Sequence, residues 1–199
     1  MTGLIPVKRG GNSPYSGGVS KYFVSASDST ALYIGDPVAI EGTNTETNGH
    51  YPSVVKGTLT ANNQWVGSVV AVLPITDENK TSEPLRVAYR AASTAAYVLV
   101  ADDPDQEFIV GEDEGAAAIV TGDLGNLGLL VAGSGGSTIY GTSSAVLDSS
   151  SFDSGTATGQ LILLGMQDRT DFALNGDGQM FRVRINEAMH QLATPGTSI

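Results

Sequence analysis

Residues 98–115 read VLVADDPDQEFIVGEDEG, and seven of these eighteen residues are acidic: Asp102, Asp103, Asp105, Glu107, Glu112, Asp113 and Glu114. Paired carboxylates can hydrolyse a glycosidic bond when one of them is held protonated, and that requires burial or a close like charge. Here the acids fall on turn positions among small and polar neighbours, where water screens them. Asp102, Asp103, Asp105 and Glu107 also offer oxygen ligands from a single turn, as calcium prefers. Their spacing lacks the loop glycine and distant bidentate Glu of an EF-hand. The same gap weakens Asn175-Gly176-Asp177-Gly178 as a calcium loop. A solvated turn or an interface charge is the favoured reading for both, and no cofactor is expected.

Other chemistry finds less support. The two histidines, His50 and His190, fall short of a three-ligand zinc site and are expected on the surface. No G-x-S-x-G elbow is present, and nothing singles out a serine for a triad. GSGGST lacks the Gly-Lys-Ser/Thr ending of a phosphate cradle. Trp65 has no basic interleaving and reads as a core or subunit-contact aromatic. Cysteine is absent, so disulfides and thiolate sites are excluded. The residues point away from catalysis.

The net charge is −11, and its placement is uneven. Ala91 to Asp168 holds eleven acids and no Lys or Arg, whereas the remainder holds ten of each sign. Such a surface repels phosphate, which argues against nucleic acid and against anionic lipid. No apolar run approaches the ~20 residues of a membrane helix. The N-terminus has no run of secretory-signal length, which makes the Asn79-Lys80-Thr81 sequon irrelevant.

The elements that position these residues read as strands. Twenty-five glycines and few charged residues favour short strands and turns over helices. Strand candidates are YFVSA, ALYIGDPVAI broken at Gly35-Asp36-Pro37, SVVKGTLT, WVGSVVAVL, LRVAYRAAS, AAYVLVADD, EFIVGED and Leu161–Met166. QMFRVRINEAMHQL alternates Phe181, Val183 and Ile185 against Arg182 and Arg184, with one helical turn expected from Asn186-Glu187. Asp103-Pro104-Asp105-Gln106 is a type I turn signature, and it predicts a β-hairpin over residues 96–113. Residues 115–147, with glycines at 122, 125 and 128, suggest close backbone packing or a wide loop. The expectation is an all-β protein: one β-barrel or β-sandwich domain over residues 21–199, with long glycine-rich loops and an extended N-terminal arm over residues 1–20.

Three stretches, RAASTAAYVLVADDPDQEFIVGEDEG, SSSFDSGTATGQLILLGMQDRTD and QMFRVRINEAMHQ, resemble a family of tailed-bacteriophage head decoration, or capsid cement, proteins. ALYIGDPVAI and GSVVAVLP fall where that family also has short hydrophobic segments. The likeness spans about residues 5–190 and rests on strings of ordinary residues, with no catalytic positions to carry over. It implies a non-enzymatic virion protein, made in the bacterial host cytoplasm. Such a protein binds the outer capsid surface as a homotrimer and clamps neighbouring major capsid protein subunits. On that resemblance Lys8, Arg9 and Tyr15 of the arm are capsid-contact candidates, and Tyr97, Asp102 and Phe108 are trimer-contact candidates. The alternatives are a β-rich receptor- or glycan-binding module, marked by exposed aromatics around Trp65 or Tyr51, and a glycosidase with Asp102 and Glu107 facing one cleft.

Overall fold

The computed structural model describes residues 3–9, 13–42, 50–74, 87–113, 119–133, 135–152, 159–166 and 179–193. The sequon at Asn79 and the 175–178 segment lie outside these residues. The chain is nearly all-β, as its composition predicts. Its strands run β1 (Ile5–Arg9), β2 (Ser13–Pro14), β3 (Ser20–Val24), β4 (Leu32–Tyr33), β5 (Pro37–Glu41), β6 (Ser53–Lys56), β7 (Gly67–Pro74) and β8 (Tyr89–Arg90). There follow β9 (Ala96–Ala101), β10 (Gln106–Gly111), β11 (Leu127–Gly128), β12 (Leu130–Ala132), β13 (Ala145–Leu147), β14 (Leu161–Met166) and β15 (Met180–Ile185).

Five of these strands close into a barrel in the order β3-β6-β5-β7-β9. Its interior is largely valine: Val24, Val38, Val54, Val69, Val72, Val98 and Val100 are all fully buried. A barrel of few strands is narrow, and short β-branched side chains fill it in their preferred rotamers. In β3, Tyr22 and Val24 point inward and Lys21 and Phe23 outward, as a two-residue period requires.

Of the other strands, β4–β8 and β12–β13 form two-stranded pairs, and six build a second, antiparallel sheet in the order β11-β14-β15-β10-β1-β2. Its buried face carries larger residues, among them Phe108, Leu161, Leu163, Phe181, Val183 and Ile185. Leu130 and Leu147 of the β12–β13 pair complete this core, together with Trp65 and Leu4. Trp65 is thus the core aromatic that the sequence suggested, and its indole N–H donates to the Thr58 carbonyl at 3.0 Å. The alternation read in β15 holds, with Phe181, Val183 and Ile185 buried and the arginines half-exposed. The expected helical turn follows as a 3-10 turn over Glu187–Met189, capped by the Asn186 side chain.

Two expectations need correction. The type I turn at 103–106 forms, with the Gln106 N–H donating to the Asp103 carbonyl at 3.0 Å. It does not close a hairpin. β9 pairs with β3 and β7, whereas β10 pairs with β1 and β15. The turn therefore carries the chain out of the barrel and into the second sheet.

The N-terminal stretch is extended as expected, but it lies along this chain's own body. β1 pairs with β10, and Leu4 is fully buried in the second core. Gly3 and Gly35 make the docking possible. Both have positive φ, +87° and +92°, and a Cβ on Gly3 would lie 2.9 Å from the Gly35 Cα. The Leu4 N–H donates to the Gly35 carbonyl at 2.8 Å, and the buried Ser68 hydroxyl donates to the Leu4 carbonyl at 2.7 Å.

Candidate functional site at the acidic crossover

The acids of the crossover are separated by the chain's own geometry. Asp103 folds back on the turn, its carboxylate accepting the Asp105 N–H at 2.9 Å, so it fixes the turn as an Asx residue does. Asp102 accepts the Tyr22 hydroxyl at 2.8 Å. Burial, and then that bond, push the Tyr22 phenol well above its ordinary value, so it stays a donor. Glu107 and Asp105 face β15, where Arg182 stands 3.8 Å and Arg184 3.3 Å from them. Lys8 sits in register opposite Glu107 on the other flank.

Two acids of the run, Asp105 and Glu107, are therefore compensated in space. Cations from β1 and β15 flank them, neither of which is close to them in the chain. Among the described residues no group of three or more histidines and carboxylates converges as an ion would require. Of the weak metal candidates, Asp105 and Glu107 face the arginines of β15, whereas Asp102 and Asp103 are engaged by the Tyr22 hydroxyl and the Asp105 N–H.

A pocket of about 250 Å³ opens between the crossover and the segment leading into β3, lined in part by Tyr15, Ser20, Asp102, Asp103 and Gln106. Tyr15 is half-buried there, its phenol pushed up by burial. Asp102 lines this pocket and Glu107 does not. Gln106 is buried, and its amide donates to the carbonyls of Lys8 and Glu107 at 2.7 Å each, which ties the turn to β1.

The remaining candidates are scattered. The backbone of Arg9 pairs with Gln106 and Ser13, while its side chain lies outside the described residues. Tyr97 lies at the opposite end of β9 from Asp102, packed between Phe23 and Tyr51 at centroid distances of 5.9 and 5.5 Å. The Lys21 ammonium stands 3.8 Å from the Tyr97 ring centre and 4.5 Å from that of Tyr51. Phe108 is 1% exposed and belongs to the chain's own core, so its side chain cannot reach a second subunit. It lies on the inward phase of a strand whose flanking sequence alone suggested an exposed hairpin.

His190 departs from the surface position expected of it. It is 1% exposed, beneath the crossover, in a segment that returns from β15 to the barrel. The Trp65 N–H donates to the Met189 carbonyl, and the Gln191 N–H to the Trp65 carbonyl, each at 2.9 Å. The His190 Nδ1 accepts the Leu192 N–H at 3.2 Å, which places the proton of the neutral ring on Nε2.

Burial lowers the His190 pKa below the ordinary 6.5, against the opposing pull of Asp102 and Asp103. The neutral ring therefore stabilises the fold above pH 6.5, and that contribution is lost as the pH falls through the lowered folded-state value. Wild type should therefore lose stability to this group on acidification. His190→Asn keeps an acceptor for the Leu192 N–H without titrating. Its denaturation midpoint should fall less steeply between pH 7 and pH 5; equal slopes would remove His190 as the cause.

Two features escaped the sequence reading. One is Arg90, whose guanidinium is fully buried within the barrel's end loops. The other is the turn at 137–141, which exposes Ile139 and Tyr140 by 81% and 78%. The only signal for the second is negative: from Leu124 to Leu147 no residue is charged. Comparison of the chain with protein-family models, with curated proteins and with solved structures finds no match.

Proposed function

We propose that the chain is a non-enzymatic structural protein that binds the outer surface of a phage capsid as a trimer and clamps neighbouring major capsid protein subunits. The observation that carries this reading is the way the crossover acids are engaged. Each is held by a turn amide, by a phenol or by an arginine of β15, which suits a fixed surface; Asp102 and Asp103, the two that line one pocket, are engaged by the Tyr22 hydroxyl and the Asp105 N–H. A clamp needs rigidity across subunit boundaries. Here two β bodies share a chain, with Leu4, Trp65 and the crossover joining them. The resemblance of residues 90–115, 149–171 and 179–191 to the capsid cement family supplies the partner.

A receptor- or glycan-binding module is the second reading, and one observation bears on it. Tyr51, Tyr97 and Phe23 form a half-exposed aromatic set on the outer face of the barrel. The Lys21 ammonium lies against two of these rings, where a sugar would stack, and Trp65 is buried. The geometry favours the clamp.

The test is co-sedimentation with expanded, undecorated heads assembled from the cognate major capsid protein. Binding should saturate at a fixed ratio to capsid subunits and raise the temperature at which heads rupture. Heads that neither take up the protein nor gain heat resistance would overturn the reading.

A further inference from the structure

The loop between β12 and β13 ends in a turn that holds two large apolar side chains in water. Ile139 is 81% exposed and Tyr140 78%, the most exposed large hydrophobics among the described residues. The turn is fixed from within. The Gly141 N–H donates to the Ser137 carbonyl at 2.7 Å, the Ser137 N–H to the Thr142 carbonyl at 2.9 Å, and the Tyr140 N–H to the Ser137 hydroxyl at 3.1 Å.

It is also fixed to the body. The Ile34 N–H donates to the Gly141 carbonyl at 2.7 Å, and the Ser143 N–H returns to the Ile34 carbonyl at 2.8 Å. Gly141, at φ +68°, packs so closely on the Ala88 backbone that a Cβ there would overlap it. Beneath the loop the Ser143 hydroxyl donates to buried Asp36, which also pairs with Lys56 at 2.9 Å. A floppy loop loses entropy when it docks; this one is already ordered, so contact at its tip carries little of that cost.

The charge pattern says where a second copy would meet least opposition. A second copy of this chain brings another −11 of charge, and like charges brought together at a contact oppose it. The contact that opposes self-association least is one without ionised groups. The 24 residues from Leu124 to Leu147 are the longest uncharged run in the chain, and Ile139–Tyr140 is its exposed tip. Depletion of charge around an aromatic and an aliphatic side chain is also the composition of an interface centre.

We infer that the Ile139–Tyr140 turn is the self-association contact of this protein, where the tips of symmetry-related copies pack together around the rotation axis. The inference rests on the clamp reading for self-association and for the expectation of three copies. At such an axis each tip meets its own equivalents, so two apolar residues per chain make one shared cluster. Acidic groups more than about 8 Å from the contact are screened at physiological salt.

The experiment is sedimentation equilibrium of the full chain, wild type against Ile139→Ser, Tyr140→Ser and, as a control at another exposed apolar position, Leu192→Ser. Wild type and the Leu192 variant should form the same oligomer. Each turn variant should weaken association at least tenfold with an unchanged melting profile, because neither side chain contributes to a core. A wild-type monomer at about 100 µM, where even weak homotypic contacts register, would overturn the inference. So would turn variants that associate as wild type does. Capsid co-sedimentation is a separate readout. An oligomer that ignores capsids removes the clamp and leaves the contact, whereas a monomer that decorates them removes the contact and leaves the clamp.

Discussion

Replacing Arg90 by Lys or Met is expected to cost about 3–5 kcal/mol of stability, the scale for removing one partner of a buried charge network. The guanidinium is fully buried. It donates to the carbonyls of Thr94, Thr30, Ser25 and Asp28 at 2.7, 2.5, 2.6 and 2.8 Å, and it stands 3.3 Å from the Asp28 carboxylate. One side chain thus satisfies four carbonyls of the loops flanking β3, β4 and β9. Burial lowers its pKa and the Asp28 charge raises it, yet a guanidinium stays protonated across the working range. Lys keeps the charge but offers three donors from a point, and it cannot span the same carbonyls. Met keeps the volume and leaves all of them unpaired. The denaturant midpoint should fall for both variants, further for Met. A midpoint for Arg90→Lys within about 0.5 kcal/mol of wild type, the range of ordinary surface substitutions, would show that the network contributes nothing.

Nothing near Arg90 in the sequence marks it. It stands between Tyr89 and Ala91 in a stretch that reads as a strand, and Asp28 lies 62 positions away. The same limit explains the rest of what was hidden. Periodicity reports which face of a strand is buried, and it did so correctly for Phe181, Val183 and Ile185. Turn chemistry reports where the chain bends, and the Asp103-Pro104 bend is where it was expected. Neither says which sheet receives the next strand. The turn at 103–106 has the local geometry of a hairpin turn, while the partners of β10 are β1 and β15, about 100 positions before it and 75 after it. That one ambiguity turned Phe108 from a core residue into an imagined contact. It also left the crossover acids without the arginines that face them.

His190 failed for a related reason. Histidine is intermediate in its preference for burial, and its burial here depends on the backbone pairing of residues 189–191 with Trp65, which no local pattern encodes. Ile139 and Tyr140 failed differently. Apolar residues in a glycine-rich loop look like part of a hidden cluster, and only the folded chain shows that the loop's own hydrogen bonds hold them outward.

Deleting residues 1–9 should abolish folding at physiological temperature. A separable arm would detach and leave a stable body, but the first strand of this chain is a structural member. Its loss removes Leu4 from the second core and exposes the edge of β10 along Gln106–Ile109. It strips the Ser68 hydroxyl of its acceptor, and it opens the space where Gly3 packs on Gly35. Leu4→Ala alone should cost about 3 kcal/mol, within the range for truncating a fully buried leucine. The deletion adds the lost strand pairing to that, and the sum approaches the whole 5–15 kcal/mol margin of a typical domain. The deleted chain should be insoluble or lack a cooperative melt, whereas Leu4→Ala should fold with a lowered midpoint. The single substitution keeps the question open to measurement if the deletion cannot be purified. A deleted chain that melts cooperatively near the wild-type temperature would show β1 to be accessory. It would also leave Lys8 and Arg9 free of a structural role.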